Sequence, residues 1–563
     1  MSGTRKQRER FSGLTALYAS RFSLRSPALT LAALLPAAIA FTQPVQAGPP
    51  EAPSIEVRAA QLLIVSADAA DISSATAAAL AGLGGVQLQW GSYSLEETRR
   101  LTEVLQSAAA SSGTKTPLFI AVDYEGGSVY APTTLGLLEL PTNMMLGAAD
   151  DEDNTATLFY LAGREMRRAG INMALGPVLD INTNPKNPII GIRSLGSDPD
   201  TASRLGGAVI NGLKAAGIIA VAKHFPGHGA TSQDSHKTLP EIDLSTGELN
   251  ASHLAPFRRA VELGVPAIMA AHIRYKALDP ENPATLSKAV LTQLLKTDMA
   301  FGGLVMTDSL DMRAITSRLP IHKAAAAALK AGADVLLIGQ GNFGAAVREI
   351  AAQVRSGAID EERLNDAYRK VLEAKRAAGL FSAQEPSSPF DKAYMEITRG
   401  LSRRGLTLVK GADMLPLPRD KKVAVIIFAP KRFAANAVSL YKELLDNGYT
   451  ARQYFFDISV KPGEVESIKQ AAEAADILVL GSFQWTGAQN SSQRSVIRSL
   501  LNSGKPAVVL SLMSPYDLPA YSRADCEIAL YGMTAPSMSA AGEALSGTLA
   551  PSGRLPVDMP DSR

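Results

Sequence analysis

Between about Gln61 and Gly339, short apolar runs alternate with longer amphipathic or alanine-rich stretches, the pattern of successive βα units. The runs cover 62–65, 86–90, 118–123, 173–180, 218–223, 267–272, 304–308 and 335–338, eight in all. Eight strands separated by helices, over a span close to the ~250 residues typical of the fold, predict a (β/α)8 TIM-like barrel ahead of an open doubly wound sheet. Five runs end in a charged or imidazole side chain: Asp123, Asp180, Lys223, His272 and Asp308. Active sites of such barrels are built at the C-terminal strand ends, so these five are expected to meet at one mouth.

Residues 360–379 are rich in helix formers, and 382–389 (SAQEPSSP) have linker chemistry. Beyond them, apolar runs at 423–428, 453–456, 477–480, 507–512 and 528–530 alternate with helical stretches at 434–447 and 463–474. The expectation is an α/β protein in two parts, a barrel over 48–385 followed by a smaller α/β/α sandwich over 386–563. A length of 563 residues agrees, since it exceeds what one hydrophobic core usually serves.

Six basic residues, Arg5, Lys6, Arg8, Arg10, Arg21 and Arg25, precede an apolar run over 27–41, and Val45 and Ala47 flank a plausible cut before Gly48. Residues 1–47 therefore read as a secretory signal, and the protein as exported, periplasmic or secreted. The alternative is an uncleaved amphipathic anchor, because the run is shorter than the ~20 residues needed to span a bilayer. No other segment reads as a membrane span. The whole chain has 56 basic and 54 acidic residues, a formal charge of +2. Removing the leader leaves 50 against 53, or −3. This near balance, without a block of like charge, gives no electrostatic footprint for nucleic acid. Cys526 is the single cysteine, so no disulfide framework exists.

All six histidines, His224, His228, His236, His253, His272 and His322, fall within the barrel. The densest stretch, KHFPGHGATSQDSH from Lys223 to His236, leaves a strand through Pro226, Gly227 and Gly229 and reads as a functional loop. His224 and His228 invite a zinc reading with Asp234 or His236. Pro226 between them spoils the shared helical face, and no Glu stands where a metalloprotease base would, so neither a metal nor another cofactor is called for. A carboxylate two residues before an imidazole, as in Asp234 and His236, can fix the ring's tautomer and leave its other nitrogen for a substrate, which makes a general acid/base. Asp308 ends a buried apolar run, where a carboxylate suits nucleophilic or electrostatic chemistry better than packing. Asp311 reads as a cap or first-turn acid of a following helix. Asp123 in AVDYEGG and Arg193 in NPIIGIRSLGSDP add polar groups of the mixed kind that sugar hydroxyls require. Trp90 or Tyr124 could stack on a sugar, although core packing is the commoner use of each.

The motifs AVDYEGG, GPVLDIN, NPIIGIRSLGSDP, VAKHFPGHG with DSHKTLP, and VMTDSLDM, in that order, resemble family 3 of the glycoside hydrolases. The DSH loop is similar to that of its beta-N-acetylhexosaminidase branch, and AGADVLLI, TLVKGADMLPL and APSGRLPVDMP extend the resemblance through a second domain. The resemblance implies Asp308 as nucleophile and the Asp234 and His236 pair as acid/base. It further implies that Asp123, Arg193, Lys223 and His224 hold the hydroxyls of a terminal N-acetylglucosamine, with His228 shaping the loop. Three positions depart from the branch: Ser128 after EGG, Ala230 after GHG and Ser309 after Asp308. The implied activity is retaining, exo-acting hydrolysis of beta-linked N-acetylglucosamine from peptidoglycan fragments or chitin-type oligosaccharides. A phosphorylase, a beta-glucosidase and a non-catalytic sugar sensor are the alternatives. Rim building, barrel support and homodimerisation are the roles open to the second domain.

Overall fold

The computed structural model describes residues 53–560 apart from 69, 90, 92, 128–134, 383–390 and 487–488. The leader, Trp90, Ser128 and nearly all of the expected linker lie outside the described residues.

Eight strands form the first sheet: β1 (Leu63–Ala67), β2 (Gly85–Leu88), β3 (Phe119–Asp123), β4 (Met173–Leu175), β5 (Ile219–Phe225), β6 (Ala267–Ala270), β7 (Leu304–Thr307) and β8 (Leu336–Leu337). Their order is β8-β1-β2-β3-β4-β5-β6-β7, parallel throughout. A bridge between Met306 and Val335 brings β7 to β8 and closes the (β/α)8 barrel. Helices cover the outside, so nearly every strand position is buried and the strands read as continuous apolar runs rather than alternating ones.

Two strand ends depart from expectation, and both matter for the mouth. The run at 173–180 pairs regularly only through Leu175, because Pro177 has no N–H to give to the ladder. The Gly176 and Pro177 carbonyls still accept from the Val221 and Lys223 N–H groups of β5 at 2.9 and 3.0 Å, a bridge joins Val178 to Lys223, and Asp180 lies beyond it on a loop. Conversely, β5 runs on to Phe225, so Lys223 and His224 are strand residues and the loop begins at Pro226.

The bottom of the barrel is plugged by a buried amine. Lys375, on the helix Glu361–Ala377, is fully buried. It donates to Gln61 Oε1 and the Gly84 carbonyl, both at 2.9 Å, and sits 4.8 Å from the centre of the Phe119 ring.

The second sheet contains β9 (Thr407–Lys410), β10 (Lys422–Phe428), β11 (Thr450–Phe456), β12 (Ile477–Ser482), β13 (Ala507–Ser511) and β14 (Cys526–Ala529). Its order is β9-β14-β13-β12-β10-β11, parallel except for β9 against β14. Helices such as Ala434–Asp446 and Ala535–Ser546 pack around it. The edge strand β9 was not expected, since a half-exposed run of four residues carries little periodic signal. Met144, Met145 and Ile192 from the barrel half insert into this second core. Thr142 Oγ1 donates to the Tyr531 carbonyl at 2.6 Å and Thr486 Oγ1 to the Pro188 carbonyl at 2.6 Å, joining the halves through both backbones. Among the described residues no helix is long and apolar enough to cross a membrane.

Burial without a carboxylate partner lowers Lys375 to about 7. Between there and the ordinary lysine value of about 10.4, the unfolded chain holds a proton that the folded chain has released, so stability rises with pH across that window. Replacing the amine by a methyl-ended chain of similar length removes the effect. The difference in Tm between the native protein and Lys375→Met is therefore expected to shift in favour of the native protein as pH is raised from 7 to 9.5. Parallel Tm curves over that range would show that Lys375 folds in its charged form.

Candidate active site

At the C-terminal mouth of the barrel lies a cavity of about 200 Å³ whose lining includes Asp123, Glu125, Arg193, Lys223, His224, His236 and Asp308. Larger clefts of about 390 Å³ open at the opposite ends of the strands, beside Lys214 and Lys370 and beside Lys115 and Arg167, without such a convergence of groups.

One wall is a network of compensated charges. Lys223 Nζ donates to Asp123 Oδ1 at 2.7 Å and approaches Glu125 Oε1 at 2.6 Å. Arg193 grips Glu125 with two parallel bonds, Nε to Oε2 at 2.6 Å and Nη2 to Oε1 at 2.8 Å. Gln87 Nε2 donates to Asp123 Oδ2 at 2.9 Å and is itself held by Ser66 Oγ, which donates to Gln87 Oε1 at 2.7 Å. Burial alone would raise Glu125, but Arg193 and Lys223 overcome it and bring the carboxyl down to about 2. Burial would likewise lower Lys223, and Asp123 and Glu125 reverse the sign, so the ammonium is held charged. Glu125 was not singled out from the sequence. Its signal was present, because residues two apart on an extended chain share a face, and Glu125 stands two after Asp123 in AVDYEGG.

A second acid organises the loop after β5. Asp180 is buried, with Oδ2 accepting from His224 Nδ1 at 2.6 Å and Oδ1 accepting from the His228 N–H at 2.6 Å. His228 Nε2 is hydrogen-bonded to Ser235 Oγ at 3.0 Å, which ties the start of the loop to its far limb. Burial pushes His228 down to about 4, so the ring stays neutral and structural near neutrality. Each of these imidazoles is thus committed to its own partner. Among the described residues, no three His, Cys, Asp or Glu side chains come together as a metal-binding group.

Asp308 follows β7 directly and is partly buried. Burial favours its protonated form, but the nearby His272 and His224 and the Ser309 N–H, which donates to Oδ1 at 2.7 Å, outweigh it and hold the carboxyl below the usual range. Ser309 is pinned in turn. Its carbonyl accepts from His272 Nε2 at 2.9 Å, and its hydroxyl donates to Asp311 Oδ1 at 2.7 Å. Asp311 also accepts from the Gln340 N–H at 3.0 Å. It therefore does not cap the short helix Arg313–Thr316, whose N-cap is Met312; it ties the turn that bears Asp308 to the loop after β8.

Opposite in character is His236, whose side chain is 49% exposed. Its Nδ1 donates to Asp234 Oδ1 at 3.0 Å, and the same oxygen accepts the His236 backbone N–H at 2.9 Å. That double hold leaves Nε2 for a ligand. Asp234 stands behind His236 rather than among the residues lining the cavity. Tyr124 is buried and donates to the Leu138 carbonyl, so it belongs to the core.

Carboxylate, guanidinium, ammonium and imidazole groups converging on one small cavity suit a ligand rich in hydroxyls, and the scaffold that holds them places the protein among the (β/α)8 enzymes. The profile of the Glycosyl hydrolase family 3 N terminal domain matches residues 54–374, and the chain belongs to that family. Beta-hexosaminidase A of Pseudoalteromonas piscicida is 29% identical over 515 residues, covering 82% of this chain and 86% of its own. A Beta-N-acetylglucosaminidase/beta-glucosidase of Cellulomonas fimi is 27% identical over 514 residues, covering 84% and 88%. Among solved structures, a glycoside hydrolase family 3 beta-N-acetylglucosaminidase from Paenibacillus sp. str. FPU-7 superposes with a TM-score of 0.84 at 30% identity, covering 90% of this chain and 99% of that one.

Removing Glu125 would leave two buried cations facing one acid. Glu125→Ala is expected to destabilise the protein by about 3–5 kcal/mol, the usual penalty for breaking a buried ion pair from one side. Denaturant unfolding measures this, and a loss under about 1 kcal/mol would show that Arg193 and Lys223 do not depend on Glu125 for their burial.

Proposed function

We propose that the protein hydrolyses terminal beta-linked N-acetylglucosamine from the non-reducing end of small oligosaccharides, with retention of configuration. The observation that carries this reading is the pairing, on one small cavity, of a fixed ionised carboxylate at Asp308 with an imidazole at His236 that is backed by Asp234. The similarity to hexosaminidases along most of the chain supports the choice of sugar.

In this mechanism Asp308 attacks the anomeric carbon while His236 Nε2–H protonates the departing oxygen, and the sugar is transferred to the Asp308 carboxylate as a covalent ester. His236, now neutral, takes a proton from water, which opens the ester and restores both groups. Asp234 stabilises the imidazolium whenever it forms. Asp123, Arg193, Lys223 and His224 fix the sugar through its hydroxyls. Because the aglycone leaves toward the open side where His236 sits, the pocket selects the terminal sugar, and the leaving group meets the loops around the mouth. An expected export leader would bring the enzyme to peptidoglycan fragments or chitin oligomers. The name of the Cellulomonas fimi relative favours a second reading in which glucosides are also accepted.

Asp308→Asn is expected to abolish turnover of an aryl N-acetylglucosaminide, and near-native turnover would reject Asp308 as the nucleophile. His236→Ala is expected to cost ~10²–10⁴-fold on an unactivated disaccharide and far less on an aryl glycoside with a good leaving group. Equal losses on the two substrates would remove His236 from proton transfer. Running the reaction in phosphate, and comparing aryl glucoside with aryl N-acetylglucosaminide, separates hydrolysis from phosphorolysis and N-acetylglucosaminidase from glucosidase.

A further inference from the structure

The mouth cavity is lined by one fixed amide that the mechanism above leaves without a task. Gln87 is the third residue of β2, between the buried Val86 and Leu88, and alternation along the strand turns it inward, where it lines the cavity with Ser66 and Asp123. In the ladders it stands opposite Ser66 of β1 and Ala121 of β3. Asp123, paired with Lys223, offers only acceptor oxygens, so Gln87 must present its nitrogen, and Nε2 donates to Asp123 Oδ2 at 2.9 Å. Ser66 Oγ fixes the other end by donating to Gln87 Oε1 at 2.7 Å. An amide nitrogen carries two N–H groups. Nε2 has no second acceptor among the described residues, so one N–H of a half-buried, oriented amide is left over beside the cavity.

The strand order of the barrel determines what that N–H faces. β3 stands four strands from β7 by either way round, and β2 three by the shorter way, so Asp123 and Gln87 lie across the cavity from Asp308. In a pyranose ring, C4 is opposite C1. A sugar whose C1 meets Asp308, as the proposed hydrolysis requires, therefore turns its C4 hydroxyl toward β2 and β3. We propose that Gln87 is a specificity-determining contact for that hydroxyl, which accepts from Gln87 Nε2 and donates to Asp123. The inference rests on the N-acetylglucosaminidase reaction proposed above. A hydroxyl both donates and accepts, and Gln87 with Asp123 supplies one partner of each kind at one fixed place. Such a site penalises a sugar that lacks the hydroxyl or points it elsewhere, because its polar groups are then left unpaired. N-acetylgalactosamine, the C4 epimer, is the sugar rejected on this ground.

The test compares kcat/KM of the native protein and Gln87→Leu on an aryl N-acetylglucosaminide and on its 4-deoxy and 4-deoxy-4-fluoro analogues. Each ratio is taken on one substrate, so the sugar's own reactivity cancels. A loss of about tenfold or more is expected on the parent sugar and none on the 4-deoxy sugar, with a smaller loss on the fluoro sugar, whose fluorine accepts but cannot donate. The preference for N-acetylglucosaminide over N-acetylgalactosaminide is expected to fall in the same variant. Equal losses on all three sugars would make Gln87 a structural residue and overturn the proposal. A loss that vanishes on both analogues would overturn the contact as well, since Gln87 would then act only by orienting Asp123. Ser66→Ala, which frees the amide to turn, is expected to give the same pattern with smaller losses and serves if Gln87→Leu does not fold. Native turnover that Gln87→Leu leaves unchanged on every sugar overturns this inference alone, whereas a native protein without turnover of the parent glycoside overturns the reaction and the inference together.

Discussion

Two acids and two bases, Asp123, Glu125, Arg193 and Lys223, share hydrogen bonds at the barrel mouth, and three of the four are almost fully withdrawn from water. Isolated, any of the three would be costly enough to change its protonation or stay outside the fold. Together they hold each other ionised, and this requires β3, β5 and the loop after β4 to be placed to within hydrogen-bonding tolerance. The constraint reaches outward from there. Gln87 and Ser66 complete the bonding of Asp123, extend the network to β1 and β2, and line the cavity themselves. The wall offered to a ligand is thus rigid before any ligand arrives, which lowers the entropy lost in holding a sugar.

Arg193 shows how far that constraint travels. It comes from a segment that leaves the barrel after β4, and its neighbour Ile192 is buried in the core of the second domain. Asn143 Nδ2 holds the Arg193 carbonyl at 2.7 Å, while Asn143 itself starts a helix whose Met144 and Met145 enter that same second core. Gly191 stands against Thr486 so closely that an added Cβ would lie 2.9 Å from the threonine methyl. The second domain contributes no group to the described cavity lining, yet the guanidinium that does line it is placed partly by that domain's packing.

How much of this was legible in the sequence follows from which physical signal each feature leaves. The eight barrel strands were readable because double-sided burial forces apolar runs, and Asp123, Lys223 and Asp308 were readable because a charge at the end of such a run has no packing role. Strand ends were not, since Pro177 removes a ladder bond without altering hydrophobicity and β5 absorbs a histidine. Asp180 was seen as a mouth residue, but its task of orienting His224 and the His228 backbone depends on contacts 44 and 48 residues away in the chain. Glu125 was hidden by a different logic: a carboxylate is ordinarily solvated, and only the arrival of Arg193, 68 residues later, together with Lys223 makes its burial tolerable. Asp311 was misread as a helix cap because local spacing favours caps, whereas its second partner, Gln340, lies 29 residues on.

The contrast between Asp308 and His236 follows from the same electrostatics. In the proposed reaction the nucleophile must stay ionised and immobile, and Asp308 is held by a backbone N–H beside two imidazoles in a partly closed cavity. The acid/base has the opposite requirement, since it gives up and regains a proton in each cycle and must do so beside a departing group of variable shape. A carboxyl as exposed as His236 would be ionised at neutral pH and have no proton to give. Raising its pKa would take burial, and burial would close the side through which the aglycone leaves. An imidazole can bind a support through one ring nitrogen and present the other, so placing it on an exposed loop over a carboxylate keeps Nε2 and an open exit together. The cost is positional, because an exposed side chain is poorly fixed. Asp234 limits that cost by binding both the ring and the backbone of His236, and His228 anchors the residue between them through Ser235.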